Sequence, residues 1–154
     1  MARRFRAEWQ PLAAAAGRRG LDQARAVTLA SIIERETRVP AERPLVSAVY
    51  HNRIKQGMKL QADPTVIYGL EGFDGSLTRA HLERDHPYNT YTREGLPPGP
   101  ICSPGLASLQ AAVHPAQVDY VYFVAKGDGS HAFSRDYRDQ VNNVNRYQRR
   151  RNHD

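Results

Sequence analysis

Residues 95–105 constrain the fold of this chain more than any other segment. Seven of these eleven residues are glycine or proline, in the order GLPPGPICSPG. Proline has no amide hydrogen to give to a helix or a sheet, and it fixes its own backbone angle, so the segment excludes regular structure and predicts a stiff loop. The helices and strands must therefore lie on either side of this loop, in a chain of 154 residues that is long enough for one domain.

The composition excludes several classes of protein. With 40% hydrophobic and 25% charged residues the chain is typical of a folded protein rather than a disordered one. No apolar run approaches the roughly 18 residues of a membrane helix, and no apolar segment follows the basic start, so we expect neither a membrane span nor a signal peptide. The single cysteine, Cys102, excludes an internal disulfide and a cysteine-based zinc site but leaves the compartment open. The six histidines show no ligand spacing, so we expect no metal. No glycine-rich phosphate loop is present in the sequence, and we expect no cofactor.

The net charge of +6 comes from the two ends of the chain. Arginine outnumbers lysine nineteen to three, with five arginines before residue 21 and four in residues 146–151. Such ends can bind an anionic polymer, although a solvated helix face is the commoner reason for such charge. Because no helix-turn-helix, zinc-finger or RNA-binding signature accompanies the arginines, we do not expect nucleic acid as a partner.

Caps and breakers predict an α+β, helix-rich single domain. Residues 1–20 are typical of an arm or short helix, and residues 58–76 of a loop with short extended pieces. Further helices are predicted at about 22–39, 44–57, 78–84 and 103–113, with a last helix that carries Tyr137, Val141, Val144 and Tyr147 on one stripe. Alternation over Val118 to Ala125, a turn at 126–129 and a return over His131 to Ser134 predict one small antiparallel β-hairpin near the C-terminal end.

Residues 29–37, LASIIERET, contain the strongest candidate for chemistry. On a helix of about 100° per residue, Glu36 falls between the two isoleucines on the apolar stripe, whereas Glu34 lies nearer its rim. Loss of hydration raises the pKa of a carboxyl, so Glu36 is a candidate general acid near neutral pH. The alternative is that Glu36 ends the helix facing solvent or pairs with Arg53 or another arginine.

Two further segments combine polar and aromatic residues, LQADPTVIYG at 60–69 and YNTY at 88–91. Tyrosine rings give sugars an apolar platform, and amides and hydroxyls hydrogen-bond to sugar hydroxyls, so the pattern is typical of a sugar-binding groove. A tyrosine-rich loop packed on its own core is an equal alternative. Nucleophilic catalysis is not indicated by Ser31 or Ser103, because neither has a His/Asp pairing in the sequence, nor by Cys102, because nothing near it would lower its pKa.

Together these segments resemble a known family. The matching motifs are LASIIERET at 29–37, VYHNRIKQGMKLQADPTVIYG at 49–69, YNTY at 88–91, GLPPGPICSPG at 95–105, AAVHPA at 111–116 and YFVAKGDGSHAFS at 122–134. In this order they resemble the YceG-like (MltG-type) endolytic murein transglycosylases of bacteria, which cut the glycan strands of peptidoglycan. The resemblance implies a fold with a lysozyme-like catalytic helix.

The resemblance also implies a reaction. The catalytic glutamate of the ERET motif corresponds to Glu36. The β-1,4 bond between N-acetylmuramic acid and N-acetylglucosamine is cleaved without water, because the muramyl C6 hydroxyl attacks its own anomeric carbon and leaves a 1,6-anhydro end. One carboxyl then protonates the departing oxygen and afterwards takes the hydroxyl proton. The residues expected to contact the sugar or orient Glu36 are Gln61, Asp63, Tyr88, Asn89 and Tyr91.

Three alternatives stay open at this point. A lysozyme-like muramidase would need a second carboxylate, for which Asp63 and Glu94 are candidates. A catalytically silent glycan-binding module would bind the same strands without cleaving them. A binder of anionic polymers would use the arginine-rich ends, and its affinity would fall steeply with salt.

The resemblance divides the chain into a basic N-terminal arm or helix at 1–20, the catalytic domain at 21–147 and a basic C-terminal tail at 148–154. Family members usually carry an N-terminal membrane helix and a LysM-like domain, which are not matched here, so we expect an excised domain or a short relative. The implied partners are peptidoglycan glycan strands and cell-wall synthases, with extracytoplasmic action and membrane attachment only through an anchor absent from this chain. Where the family often has an acidic-His-Asn run, this chain has Asp139, Gln140 and Val141, to which we assign no role.

Overall fold

The computed structural model describes residues 2–151, with the side chains of residues 3–148. Met1 and residues 152–154, at the ends of the predicted arm and tail, lie outside the described residues. The helices are α1 (Ala2–Trp9), α2 (Ala13–Arg18), α3 (Gln23–Glu36), α4 (Arg43–Gln56), α5 (Asp63–Tyr68), α6 (Arg79–Glu83), α7 (Leu106–Val113) and α8 (Tyr137–Arg151). The strands are β1 (Tyr122–Ala125) and β2 (His131–Ser134), and the predicted α+β fold with one antiparallel hairpin is confirmed.

Helix α3 lies at the centre of the core. Asp22 caps it by accepting the Arg25 backbone N–H at 2.8 Å, and Leu29 is among its fully buried side chains. It packs against α7, α4 and α5. The helix ends at Glu36, three residues before the predicted end, because the chain is extended at residues 37–39 ahead of Pro40.

Helix α4 ends at Gln56, and the predicted stop, Gly57, is its C-cap, where a φ of +73° suits a residue without a side chain. The segment that follows was predicted as a loop, and that prediction is wrong for α5. Pro64 lies in the first turn of α5, where a missing amide hydrogen costs nothing. Two further residues of this helix, Thr65 and Val66, are buried. The capped short helix at Thr78 is confirmed as α6.

The Pro/Gly-rich loop leads into α7, which begins three residues later than predicted. The cap is Gly105, because the Glu34 carboxylate accepts its backbone N–H at 2.8 Å. The first strand also begins later than predicted. The Asn52 side chain donates hydrogen bonds to the backbone carbonyls of Val118 and Tyr120, both at 2.9 Å. These two carbonyls therefore pair with a side chain of α4 and not with a neighbouring strand.

The hairpin pairs Tyr122 with Ser134 and Phe123 with Phe133, and Phe133 packs against the core. The N-terminal segment joins the same core, since Leu12 and Ala16 are buried with residues of α3 and α7. The division of the chain at residue 21 stays a prediction. Within residues 2–151, none of the helices combines the length and the apolar character needed to cross a membrane.

Candidate active site

The C-terminal end of α3 opens into a groove of about 410 Å³. One wall comes from α3, the start of α5 and the loop before residue 92, and the other wall comes from the hairpin and α8. Four of the predicted site residues line this groove, although they come from three separate segments of the chain: Glu36, Gln61, Asp63 and Tyr91.

Glu36 is the last residue of α3, and its side chain is half-buried at the groove. The fully buried Tyr50 of α4 donates a hydrogen bond from its hydroxyl to Glu36 Oε2 at 3.3 Å. Burial, and after it the negative charge of Asp63, raises the pKa of Glu36 from 4.5 to about 7, while the Tyr50 hydrogen bond opposes the rise. A carboxyl with this pKa can both give and take a proton near neutral pH.

Arg53 lines the same groove but does not neutralise Glu36. Its Nε donates to the Val121 carbonyl and its Nη1 to the Lys59 carbonyl, both at 2.7 Å. None of the ion pairs between described residues involves Glu36. The guanidinium therefore holds two backbone segments together, and the alternative of a Glu36–Arg53 pair is not formed.

Asp63 and Gln61 stand beside the acid. Tyr91 donates its hydroxyl hydrogen to Asp63 Oδ1 at 2.5 Å, and burial, followed by the charge of Asp63, raises the pKa of Tyr91. Tyr91 thus keeps the hydrogen that it donates. Gln61 has a φ of +51°, which is uncommon outside glycine, and its backbone N–H donates to the Thr90 carbonyl at 3.2 Å. This backbone strain lies directly at the groove.

The two other predicted contacts lie outside the groove lining. Asn89 is fully buried; its Nδ2 donates to two carbonyls at the end of α6, and its Oδ1 accepts the Tyr91 backbone N–H at 2.8 Å. Tyr88 packs against the core and the ring of Tyr68. Glu94 is exposed and does not line the groove. The structure thus gives Asn89 a part in holding the Tyr91 loop, and the sugar contacts of both residues stay predictions.

Sequence reasoning missed the second wall of the groove. Tyr137, Gln140, Val144 and Gln148 face it from α8 at intervals of three or four residues, which places them on one side of the helix. The predicted stripe of this helix shares only Tyr137 and Val144 with that face. The polar residues were overlooked because a search for an apolar stripe discards glutamines, although their spacing was a usable signal.

Tyr50 and Thr90 were also missed. Tyr50 is the one hydrogen-bond donor to Glu36 among the described side chains, and Thr90 Oγ1 accepts the Ala62 backbone N–H at 2.9 Å and pairs with Thr65 Oγ1 at 2.9 Å. These contacts join residues 14 to 28 positions apart in the sequence. Tyr50 lies in the motif at 49–69 and Thr90 in the motif at 88–91. Nothing in the neighbouring sequence distinguishes either residue from an ordinary core residue.

The groove combines an acid that titrates near neutrality, a second carboxyl, side-chain amides and tyrosine rings. An acid of this kind can protonate a leaving oxygen, and amides and rings are the groups that bind sugars. Within the part of the chain that the structure describes, no group of three or more histidine, cysteine, aspartate or glutamate side chains is placed to hold a metal ion.

Comparisons with known proteins agree on one family. The model of the YceG-like family matches residues 1–146. An endolytic murein transglycosylase of Bacillus subtilis is 44% identical over 109 residues, which are 71% of this chain and 30% of the relative. An endolytic murein transglycosylase of Streptococcus pneumoniae D39 is 32% identical over 104 residues, which are 64% of this chain and 19% of the relative. A crystal structure of a YceG-like protein from Listeria monocytogenes matches with a TM-score of 0.80 and 36% identity, over 88% of this chain and 44% of that one. The chain thus spans less than a third of the curated relatives it matches.

Proposed function

Since the chain belongs to the YceG-like family, we propose that it is the catalytic part of an endolytic peptidoglycan lytic transglycosylase. It cleaves the MurNAc-β-1,4-GlcNAc bond within glycan strands and leaves 1,6-anhydroMurNAc ends. The names of the Bacillus and Streptococcus relatives support this substrate and reaction. The observation that carries the proposal is one carboxyl, Glu36, with a pKa of about 7 in a groove lined by polar and aromatic side chains.

The first step uses the protonated form of Glu36. Its proton goes to the glycosidic oxygen, the bond from that oxygen to the muramyl anomeric carbon breaks, and positive charge develops on the sugar ring. Because the Tyr50 hydroxyl bonds to Oε2, the other oxygen of Glu36 is the one that can carry the transferred proton. Asp63 lines the same wall, and a negative charge there would stabilise the positive charge that develops.

The second step uses the carboxylate that remains. It takes the proton from the muramyl C6 hydroxyl while the C6 oxygen bonds to the anomeric carbon, which closes the anhydro ring and restores the protonated acid. The same carboxyl acts twice, and a pKa near neutrality suits both tasks. Of the two candidates for a second carboxylate in a hydrolytic reaction, Asp63 lines the groove and Glu94 does not.

The test is mass spectrometry of peptidoglycan digested with this chain, with Glu36→Gln and with the matched control Glu34→Gln. Internal fragments ending in 1,6-anhydromuramic acid are expected from the wild type and the control, and none from Glu36→Gln. Reducing ends would replace the lytic mechanism by hydrolysis, and Asp63→Asn would then test whether Asp63 is the second carboxylate. Binding of glycan without products from any variant would support a silent binding module.

The setting of the reaction follows from the same family. We propose that residues 21–147 form the catalytic domain, that it acts outside the cytoplasm in cell-wall synthesis and remodelling, and that cell-wall synthases are its partners. The cell-wall names of the relatives support the extracytoplasmic location. Fractionation of cells, with an antibody against this domain, tests the location.

A further inference from the structure

The second wall of the groove contains a buried pair that the mechanism above does not use. His131, the first residue of β2, lines the groove, and its ring Nδ1 lies 2.8 Å from Glu42 Oε1. The backbone N–H of His131 donates to Glu42 Oε2 at 3.0 Å, so both oxygens of one carboxylate engage one residue. Only 7% of the His131 side chain and 12% of the Glu42 side chain are exposed.

This contact fixes which ring nitrogen carries hydrogen. A carboxylate has no hydrogen to give, so the ring must donate from Nδ1, and whenever the imidazole is neutral its lone pair is on Nε2. The ring cannot turn easily, because it packs edge-on against Phe123 at 5.3 Å between centroids. Glu42 therefore sets both the tautomer and the direction of the ring.

The opposite nitrogen, Nε2, is open. It has no hydrogen-bond partner among the described residues, and it is not one of the polar atoms that are buried without a partner there. Since His131 lines the groove and Glu42 holds its Nδ1, Nε2 is the ring nitrogen left for a ligand in that groove.

We infer that His131 is a sugar-binding residue, which accepts a hydrogen bond at Nε2 from a hydroxyl or acetamide N–H of the glycan. Glu42 is its positioning residue. This inference rests on the proposed function, because it takes the same glycan as ligand. It adds an acceptor on the wall opposite Asp63, so that a sugar in the groove is held from both sides.

The variants are chosen to separate binding from folding. His131→Asn keeps an amide donor near the position of Nδ1 for Glu42 but removes Nε2. Glu42→Gln keeps one acceptor for the His131 backbone N–H, and its NH₂ group donates to Nδ1, which moves the ring hydrogen to Nε2. The matched control is His114→Asn, at an exposed histidine outside the groove.

Affinity for a GlcNAc-MurNAc tetrasaccharide is measured by calorimetry in a Glu36→Gln background, which prevents cleavage. His131→Asn and Glu42→Gln are each expected to weaken binding about two- to tenfold, the value of one hydrogen bond, while the His114→Asn control binds like the parent. Binding by His131→Asn at the strength of the control overturns the inference. If His131→Asn does not fold, Glu42→Gln decides in its place.

Nitrogen-15 NMR of the histidine rings at alkaline pH reads the tautomer without any ligand. The expected result is hydrogen on Nδ1 in the wild type and on Nε2 in Glu42→Gln; hydrogen on Nε2 in the wild type overturns the inference.

The two proposals fail in distinguishable ways. If the wild type releases anhydro ends while His131→Asn binds normally, only this inference falls, whereas a wild type that neither binds nor cleaves glycan overturns both.

Discussion

Glu34 and Glu36 both lie in the last turn of α3, and the two sides of that turn have different neighbours. On one side, Glu34 Oε1 accepts the Gly105 backbone N–H at 2.8 Å and the Ser108 hydroxyl at 3.2 Å, at the start of α7. On the other side, Glu36 has a single side-chain donor at 3.3 Å and a second carboxyl nearby. One residue type is thus used once to join two helices and once to face a groove.

The difference shows what makes a carboxyl an acid in this fold. Glu34 accepts two hydrogen bonds from donors at the N-terminus of α7. Around Glu36 the Tyr50 hydrogen bond offsets the burial only in part, and Asp63 adds like charge, so these neighbours raise the pKa of Glu36 to about 7. The position in the helix brings both residues near the core, but the donors that each one meets decide its chemistry.

The largest expected effect tests this comparison by exchanging each charge for an amide. Glu36→Gln should lower the rate of glycan cleavage about 10³-fold, since a general acid contributes in that range, and Glu34→Gln should change it less than about twofold. Release of soluble muropeptides from purified sacculi measures both rates. Equal losses in the two variants would contradict the assignment of the proton transfer to Glu36.

The second effect concerns stability. Because the pKa of Glu36 in the folded state, about 7, lies above its ordinary 4.5, the folded state keeps a proton that the unfolded chain releases between these values. The free energy of unfolding therefore falls as the pH rises from about 4.5 to about 7, by about 3 kcal/mol in total. Glu36→Gln should remove this loss and be the more stable protein at pH 8.

Urea unfolding at pH 4 and pH 8 measures this difference for the wild type, Glu36→Gln and Glu34→Gln. Relative to the wild type, Glu36→Gln should gain about 3 kcal/mol between the two pH values, and Glu34→Gln should show no such gain. If the free energy of unfolding changed with pH by the same amount in the wild type and in Glu36→Gln, then burial would not disfavour the charged form of Glu36.

The third effect concerns the source of the raised pKa. Since Asp63 is the second cause after burial, Asp63→Asn should lower the pKa of Glu36, and the alkaline limb of the pH–kcat profile should move to lower pH while staying above that of an ordinary glutamate. Tyr91→Phe is the control, because it removes the hydroxyl that bonds to Asp63 but keeps the charge. An unmoved limb in Asp63→Asn would leave burial as the whole cause.

Much of the fold could be predicted because its signals are local. Asp22 as a cap, Gly57 as a stop and the turn between the strands each act through neighbours a few residues away. The start of β1 could not be predicted, because Asn52, more than sixty positions earlier, takes the carbonyls of Val118 and Tyr120. Helix α5 was missed because the buried contacts that stabilise it lie on distant segments.

The candidate site divides in the same way. The placement of Glu36 within the apolar stripe followed from helix geometry, and the motif at 60–69 indicated the first wall. Nothing local could show that Tyr50 would bond to Glu36, or that Glu42 would hold His131 across 89 positions. Those contacts depend on how α4 and the hairpin pack against α3, which the sequence pattern of one element does not contain.

The smallest expected effect returns to the other side of the turn. Glu34→Ala removes the acceptor for Gly105 and Ser108 and should lower the free energy of unfolding by about 1 kcal/mol, the usual cost of losing a cap or a charge-assisted hydrogen bond. Glu34→Gln keeps an acceptor oxygen and should cost less.

Urea unfolding at pH 7 gives both values. Cleavage by folded Glu34→Ala should stay within about twofold of the wild type, because the carboxyl that this variant removes faces α7 and not the groove. A loss of activity in Glu34→Ala without a loss of stability would show that the two sides of the turn are coupled, and would break the separation of tasks drawn from their neighbours.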